Sequence, residues 1–328
     1  MTAEVNGPLA LSAPPRTSPP AARPARLRAY LRLAKLDIAD YYFALPLAWT
    51  LLAPAARGTP RTPLTLGLFL LGEIFVIAAA VALDDVTGFR DGSDAVNYGG
   101  DARRRRLARK PLVTGALTVA EAIRFGLLAA AAGALLWTGA AASAPFRPSW
   151  ALATAAVCLI TAVQYSWGLK ISYRGWQEIF LIGFGVGMVL APYGLLTGRI
   201  TARAALEAAL FGCGPLLFGL YSNTNDAVGD ARVGRRTVAA VLPPRANAAF
   251  IAALSAAEAA LIGAAPLLAA VPWWFPLALL PVPAMRAVEL TVFLRDADVL
   301  RARRLGILDH RLTVGLLLAV NLLTGGTP

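Results

Sequence analysis

Nine mainly apolar runs follow one another along this chain, at about 38–56, 64–83, 118–143, 149–169, 176–197, 204–224, 246–270, 273–293 and 311–325. A hydrocarbon layer of about 30 Å is crossed by a helix of about 20 such residues. Ala and Leu dominate the runs and strand-like alternation is absent. A spanning segment must also satisfy its own backbone, so the runs read as helices. The expectation is an all-α integral membrane protein with nine transmembrane helices around a central cavity. Polar helical loops would cap its cytoplasmic face, and residues 26–328 would form one domain. Hydrophobic residues make up 57% of the chain, against about 45–50% in soluble domains. Residues 1–25 are rich in Pro, Ala, Ser and Arg with no apolar core, and read as a disordered cytoplasmic tail.

The net charge of +12 first raises nucleic-acid binding. The basic residues, however, sit between spans, where they report topology instead. The tail and the four loops on its side carry twenty-four of the 31 Lys and Arg. The opposite side carries five, and Arg124 and Arg286 fall at span edges. That asymmetry puts the N-terminal side in the cytoplasm, and the setting reads as a bacterial cell membrane. Cys158 and Cys213 lie in apolar runs and read as buried free thiols. His310 is the single histidine, which excludes a multi-histidine metal site.

Two acidic stretches fall on the cytoplasmic side. "ALDDVTGFRDGSDAVNYGGD" at 82–101 follows span two and carries Asp84, Asp85, Asp91 and Asp94. "YSNTNDAVGDARVGRRT" at 221–237 follows span six and carries Asp226 and Asp230. Asp226 and Asp230 are four apart and share a helix face. Asp84 and Asp91 are seven apart and share one too. Carboxylates are costly at a membrane edge unless paired, and two clusters at one depth suit a hard cation. Mg²⁺ is commonly held by one or two carboxylates plus substrate phosphates. Arg109, Lys110, Lys170 and Arg174 lie on the same face as partners for the remaining diphosphate oxygens. The run Arg103–Arg106 reads as lipid-facing electrostatics.

These residues resemble the UbiA superfamily of membrane prenyltransferases, and its 1,4-dihydroxy-2-naphthoate type most of all. The family's first motif, Asn-Asp-x-x-Asp and a further Asp, is similar to Asp84-Asp85-x-x-Gly88 followed by Asp91-Gly92-Ser93-Asp94. Its basic residue before Pro-Leu corresponds to Lys110-Pro111-Leu112, and its diphosphate-touching Tyr and Lys to Tyr165 and Lys170. Its second motif corresponds to Asp226, Asp230, Gly234 and Thr237. The departures are Asp84 for the usual Asn, Gly88 for the inner Asp that ligates metal, and Asn225 for a basic residue. Lys35-Leu36, followed by Asp37, also replaces Arg-Pro at the start of span one.

The resemblance implies Mg²⁺ as cofactor and an allylic prenyl diphosphate as substrate, with a lipophilic, often aromatic, acceptor. It implies Asp84, Asp85, Asp91, Asp94, Asp226 and Asp230 as the metal set. Asp84, Asp91, Asp226 and Asp230 would carry catalysis, with Asp91 replacing the acid missing at Gly88. Lys110, Tyr165, Lys170, Arg174 and Asn223 would bind substrate. Tyr41, Tyr42, Trp49, Tyr165, Trp167 and Tyr193 are candidates to stabilise an allylic cation. A membrane terpene cyclase on the same scaffold is the alternative, with the cation captured by the substrate's own alkenes. A transporter or a non-catalytic scaffold is a third reading. Glu73, midway along span two, is its best support, although a hydrogen-bonded helix contact explains that residue as well.

Overall fold

The computed structural model describes residues 23–36, 39–99, 107–269 and 271–326. Most of the N-terminal tail and the run Arg103–Arg106 lie outside the described residues. The helices in chain order are α1 Arg23–Leu33, α2 Ala44–Leu51, α3 Pro54–Arg57, α4 Arg61–Arg90 and α5 Ser93–Gly99. There follow α6 Val119–Ser143, α7 Ser149–Val163, α8 Gln177–Thr197, α9 Ala202–Arg232 and α10 Val238–Val241. The chain ends with α11 Pro244–Leu268, α12 Phe275–Ala278, α13 Pro281–Arg295 and α14 Val299–Thr324. Among the described residues there is no strand.

Among the described residues, six helices are long and apolar enough to cross a membrane: α4, α6, α8, α9, α11 and α14. The runs at 38–56, 149–169 and 273–293 coincide with shorter helices. Proline limits the first and third of these. Ahead of Pro54, Leu52 and Ala53 are extended and end α2, as the ring's clash with the preceding residue requires. Pro276 and Pro281 divide the third run into α12 and α13. The last span is longer than the run at 311–325: α14 starts at Val299. Its first turns carry arginines and Asp309, so hydropathy misses them, whereas the fold pairs Asp309 with a buried arginine at 2.9 Å.

That arginine is Arg286, which sits inside α13 at 2% exposure, not at a span edge. It meets Glu258 of α11 at 2.7 Å and Glu289 one turn along its own helix at 3.1 Å. Charge inside a bundle persists only where it is paired, and this cluster ties α11, α13 and α14 together.

Close helix contacts rest on small residues. A Cβ at Gly133 of α6 would lie 2.7 Å from Val76 Cγ2, and one at Gly72 of α4 would lie 2.3 Å from Trp137. Trp137 stacks on Phe69 with ring centroids 4.8 Å apart and donates its indole N–H to the Phe69 carbonyl at 2.9 Å. Close approach through small residues is the usual way helices associate where lipid supplies no hydrophobic drive.

Two helices outrun the bilayer. At about 1.5 Å per residue, α4 and α9 are each about 45 Å long against a core of about 30 Å. The surplus of α4 carries Asp84 and Asp85, and that of α9 carries Asp226 and Asp230. Asp84 and Asp85 on α4, and Asp226 and Asp230 on α9, therefore stand on helix at the same end of the bundle.

Gly133→Leu is expected to destabilise the protein by about 2 kcal/mol through overpacking. Gly139→Ala, whose new methyl would meet only Leu68 at 3.7 Å, is expected to be neutral or slightly stabilising. Unfolding midpoints of the two variants in detergent, compared with the parent, check this.

Candidate functional site

At the end of the bundle where α4 and α9 project, a cavity of about 130 Å³ is lined by Asp84, Asp94, Asp226 and Asp230, with Lys35, Lys110 and Arg235. Gly88, Ser93 and Asn97 complete its wall. Asp84 lies near the end of α4, and Asp94 comes from α5, which folds back beside it. Asp226 and Asp230 share one face of α9. The bases come from three separate connections, so the site exists only when the whole bundle has formed.

The bases hold the acids. Asp85 is buried and takes both Lys35 Nζ and Lys110 Nζ on Oδ1 at 2.7 Å. Lys110 also reaches Asp94 Oδ1 at 2.6 Å. Arg235 Nη2 lies 2.8 Å from Asp84 Oδ1 and 2.8 Å from Ser166 Oγ, while Ser166 donates to Asp84 at 2.6 Å. The guanidinium also sits over the Tyr173 ring, 4.8 Å from its centroid. Burial pushes the Asp94 carboxyl up to about 6 against the pull of Lys110, and Asp85 adds to the push. Arg235 is held well above the usual guanidinium range, chiefly by Asp84 acting against its burial.

Asp94 sits where Gly88 leaves room. A Cβ at Gly88 would lie 2.8 Å from Asp94 Cγ and 3.0 Å from both carboxylate oxygens. The Asp94 carboxyl thus occupies the space that a side chain at position 88 would need. Asp91 does not take that place. The helix ends at Arg90, with Asp91 as a C-cap whose N–H still bonds the Thr87 carbonyl at 3.0 Å, and its side chain does not line the carboxylate cavity. Asp91 Oδ1 accepts from the Ser93 N–H at 3.0 Å, and its other oxygen accepts from the Tyr173 hydroxyl. Asp91 lines a separate groove of about 500 Å³ with Thr87, Arg90, Trp167, Gly168 and Lys170.

The basic and polar residues divide in the same way. Lys110 lines the carboxylate cavity. Lys170, in the left-handed region at φ 52°, lies over the Tyr173 ring at 4.9 Å and faces the groove. Arg174 is exposed and lines neither space. Tyr165 packs on Phe180 with centroids 4.8 Å apart. Asn223 of α9 is buried against α8, where it accepts from Gln177 at 2.6 Å and donates to Glu178 at 3.3 Å. Sequence reasoning missed Lys35, Ser166, Asn97 and Arg235. Arg235 follows Gly234 inside the second motif, a signal hidden by its resemblance to any other loop arginine.

The donor set fits a hard divalent cation. Four carboxylates face one cavity, and Asp85 Oδ2 and Asp94 Oδ2 are buried with no hydrogen-bond partner. Among the described residues no three acids already converge as a ready coordination set. Mg²⁺ tolerates that, because it keeps waters and phosphate oxygens in its shell.

Fold and cavity define an all-helical integral membrane protein with a carboxylate-and-base site at one end of its bundle. The chain matches the model of the UbiA prenyltransferase family over residues 43–316, and it belongs to that family. A UbiA homologue from Archaeoglobus fulgidus bound to GPP and Mg²⁺ superposes with a TM-score of 0.62 at 17% identity, covering 89% of this chain and 99% of that one. The apo UbiA homologue from Aeropyrum pernix K1 gives 0.61 at 17% identity, over 86% and 98% of the two chains. A structure from work on digeranylgeranylglyceryl phosphate synthase gives 0.60 at 14%, over 92% and 98%. No curated protein sequence matches.

Gly88→Asp is expected to lower Mg²⁺-dependent activity at least about tenfold, because the new side chain displaces Asp94 from buried contacts worth a few kcal/mol. Gly88→Asp combined with Asp94→Gly is expected to recover much of it. Activity across a Mg²⁺ titration in the single and double variants measures the exchange.

Proposed function

We propose that the protein is a Mg²⁺-dependent membrane prenyltransferase that moves an isoprenoid chain from an allylic diphosphate to an aromatic or other lipophilic acceptor. The observation that carries this reading is the gathering of Asp84, Asp94, Asp226 and Asp230 with Lys35, Lys110 and Arg235 on one small polar cavity. The homologue bound to GPP and Mg²⁺ supports it, as does another bound to DMAPP and Mg²⁺. We also place the site on the cytoplasmic side, in a nine-span topology with α2, α7 and α13 as the short spans. The excess of basic residues on that side supports this placement.

The metal set in this reading is Asp84, Asp94, Asp226 and Asp230, with Asp85 holding Lys35 and Lys110 in position. Mg²⁺, when bound, supplies Lewis-acid stabilisation of charge on the departing diphosphate. Lys35, Lys110 and Arg235 bind the remaining diphosphate oxygens, with Arg235 aimed by Ser166 and Tyr173. The C1–O bond of the donor breaks with its electron pair staying on diphosphate. The acceptor's electron pair closes the new bond, and the proton it loses passes to water at the mouth of the site. Tyr165 and Phe180 present aromatic faces beside the cavity that stabilise the allylic cation without trapping it. Asp91 and Lys170 shape the neighbouring groove and do not touch metal.

A terpene cyclase is favoured by one observation. Lys35-Leu36 stands where the family carries Arg-Pro at the start of span one, and Gly88 where it carries the inner Asp, a departure from the transferase pattern. Incubation with a prenyl diphosphate, Mg²⁺ and no acceptor separates the two. Hydrocarbon or terpene alcohol formation identifies a cyclase, and product only on addition of a quinone-type aromatic acid identifies a transferase.

Turnover is expected to stop in excess EDTA and to return with Mg²⁺. Asp230→Ala and Asp226→Ala are each expected to lower the rate by a hundredfold or more, in keeping with about 3 kcal/mol of lost transition-state stabilisation, while unfolding midpoints stay near the parent value. Diphosphate release assays on purified protein test both, and near-normal rates in the two variants would sink the reading.

A further inference from the structure

α1, RPARLRAYLRL, carries four arginines and no acid. One of its faces is packed. Ala29 and Leu33 are buried in a cluster with Ala82 and Val86 of α4 and Ala122 of α6. Arg26 pairs with Glu121 in the first turn of α6. Tyr30 meets Phe125, one turn further along α6, with ring centroids 5.6 Å apart. Successive helix residues step by about 100°, so the face turned away from the bundle belongs to Leu27 and Leu31, which are 63% and 48% exposed. Arg28 and Arg32 lie beside them. Both are exposed, and among the described residues neither has an acidic partner.

α6 fixes the depth of this face. Its 25 residues make about 37 Å of helix against a hydrocarbon layer of about 30 Å. Its first two turns, beside which α1 lies, are therefore where the span passes from headgroups to hydrocarbon. Leucines facing outward at that level meet acyl chains, and arginine stems extend past them to phosphates. Loop arginines that mark topology need no folded support. These two are held on a helix whose inner face is packed, one turn and about 6 Å apart, close enough to share one phosphate.

α1 also leads into the site. Lys35 follows its last turn, donates its backbone N–H to the Arg32 carbonyl at 3.3 Å and takes the left-handed conformation at φ 46°. A residue other than glycine keeps that conformation only where its surroundings fix it. From there Lys35 Nζ reaches Asp85 Oδ1 at 2.7 Å.

We propose that the outer face of α1 docks on anionic phospholipid headgroups and that this docking holds Lys35 on Asp85, so that anionic lipid raises turnover at the site. Leu27 and Leu31 enter the acyl boundary, and Arg28 and Arg32 take the lipid phosphate. The coupling to turnover rests on the prenyl diphosphate reading above; the docking does not. A basic amphipathic helix binds by its apolar area plus attraction to anionic lipid, and each arginine near such a surface favours it by about fivefold. Zwitterionic lipid offers the same acyl boundary without the net charge, and there the turn at Lys35 loses one of its constraints.

The test uses full-length protein in nanodiscs of phosphatidylcholine alone and of phosphatidylcholine mixed with phosphatidylglycerol. Amide exchange across residues 25–35, read by mass spectrometry, reports docking, and diphosphate release with Mg²⁺ reports turnover. Phosphatidylglycerol is expected to slow exchange in α1 and to raise kcat/KM at least about fivefold. Arg28→Gln combined with Arg32→Gln is expected to match the parent in phosphatidylcholine and to lose both responses. Arg28→Lys with Arg32→Lys, which keeps the charge, is expected to retain most of each. Arg295→Gln, at an exposed arginine ending α13, is expected to respond as the parent does. Exchange in α1 that ignores phosphatidylglycerol, or a response that survives in the Gln variant, overturns the inference. So does the same response to inorganic phosphate with phosphatidylcholine alone, which marks a free-anion site, or protection that follows protein concentration, which marks an interface between copies. Docking without a change in turnover overturns the coupling. Absence of diphosphate release in every lipid overturns the functional reading, and amide exchange in α1 still decides the docking.

Discussion

The interaction on which the site depends is the bridge that Asp85 makes to Lys35 and Lys110. One carboxylate oxygen, at 1% exposure, holds two ammonium groups at 2.7 Å. Lys35 follows α1, Asp85 belongs to α4, and Lys110 lies in the connection before α6. Removing the acid would take from Lys35 its 2.7 Å partner and leave Lys110 with Asp94 alone, and removing either base would leave excess negative charge. Breaking such pairs is far more costly than their net contribution to stability. The bridge therefore closes the N-terminal segment over the bundle end and, in the same step, presents Lys110 to Asp94. Arg235 does the equivalent from the far side, joining Asp84 and Ser166.

This explains how a site rich in charge survives beside hydrocarbon. In the proposed reaction the same three bases that neutralise the acids in the free protein become the groups that meet the diphosphate. Their positions are set before substrate arrives, which limits the reorganisation that binding requires. The exchange of Gly88 for a family aspartate fits the same picture. α5 brings the Asp94 carboxyl onto the bare backbone of Gly88, into the space a side chain at position 88 would need.

Deeper in the bundle, buried charge falls into two kinds. Arg286 with Glu258, Glu289 and Asp309 is a paired cluster that joins three helices, and Arg203 with Glu207 and Asn321 fastens α9 to α14. Glu73 belongs to neither network.

The sequence alone determined the class of the protein and that its two acidic motifs share one end of the bundle. Apolar runs of spanning length leave helix as the conformation, and the basic excess and acidic motifs share one side. The motif order also pointed to the family. Asp226 and Asp230 could be placed on one face because spacing along a helix is a local property, and Asp84, Asp94 and Lys110 stood out through their motifs; all five line the same cavity. Tertiary structure decided the rest. The end of α4 at Arg90 turned Asp91 into a cap bonded to Tyr173, since helix termini depend on what the following residues meet. Lys170 and Arg174 were drawn away from the acids, and Arg235 and Lys35 took their place, because charged loop residues look alike until the chain closes. The early start of α14 and the burial of Arg286 were hidden from hydropathy for the same reason. A charge is tolerated inside the bundle only by virtue of a partner from another helix, and periodicity in one segment carries no record of that partner.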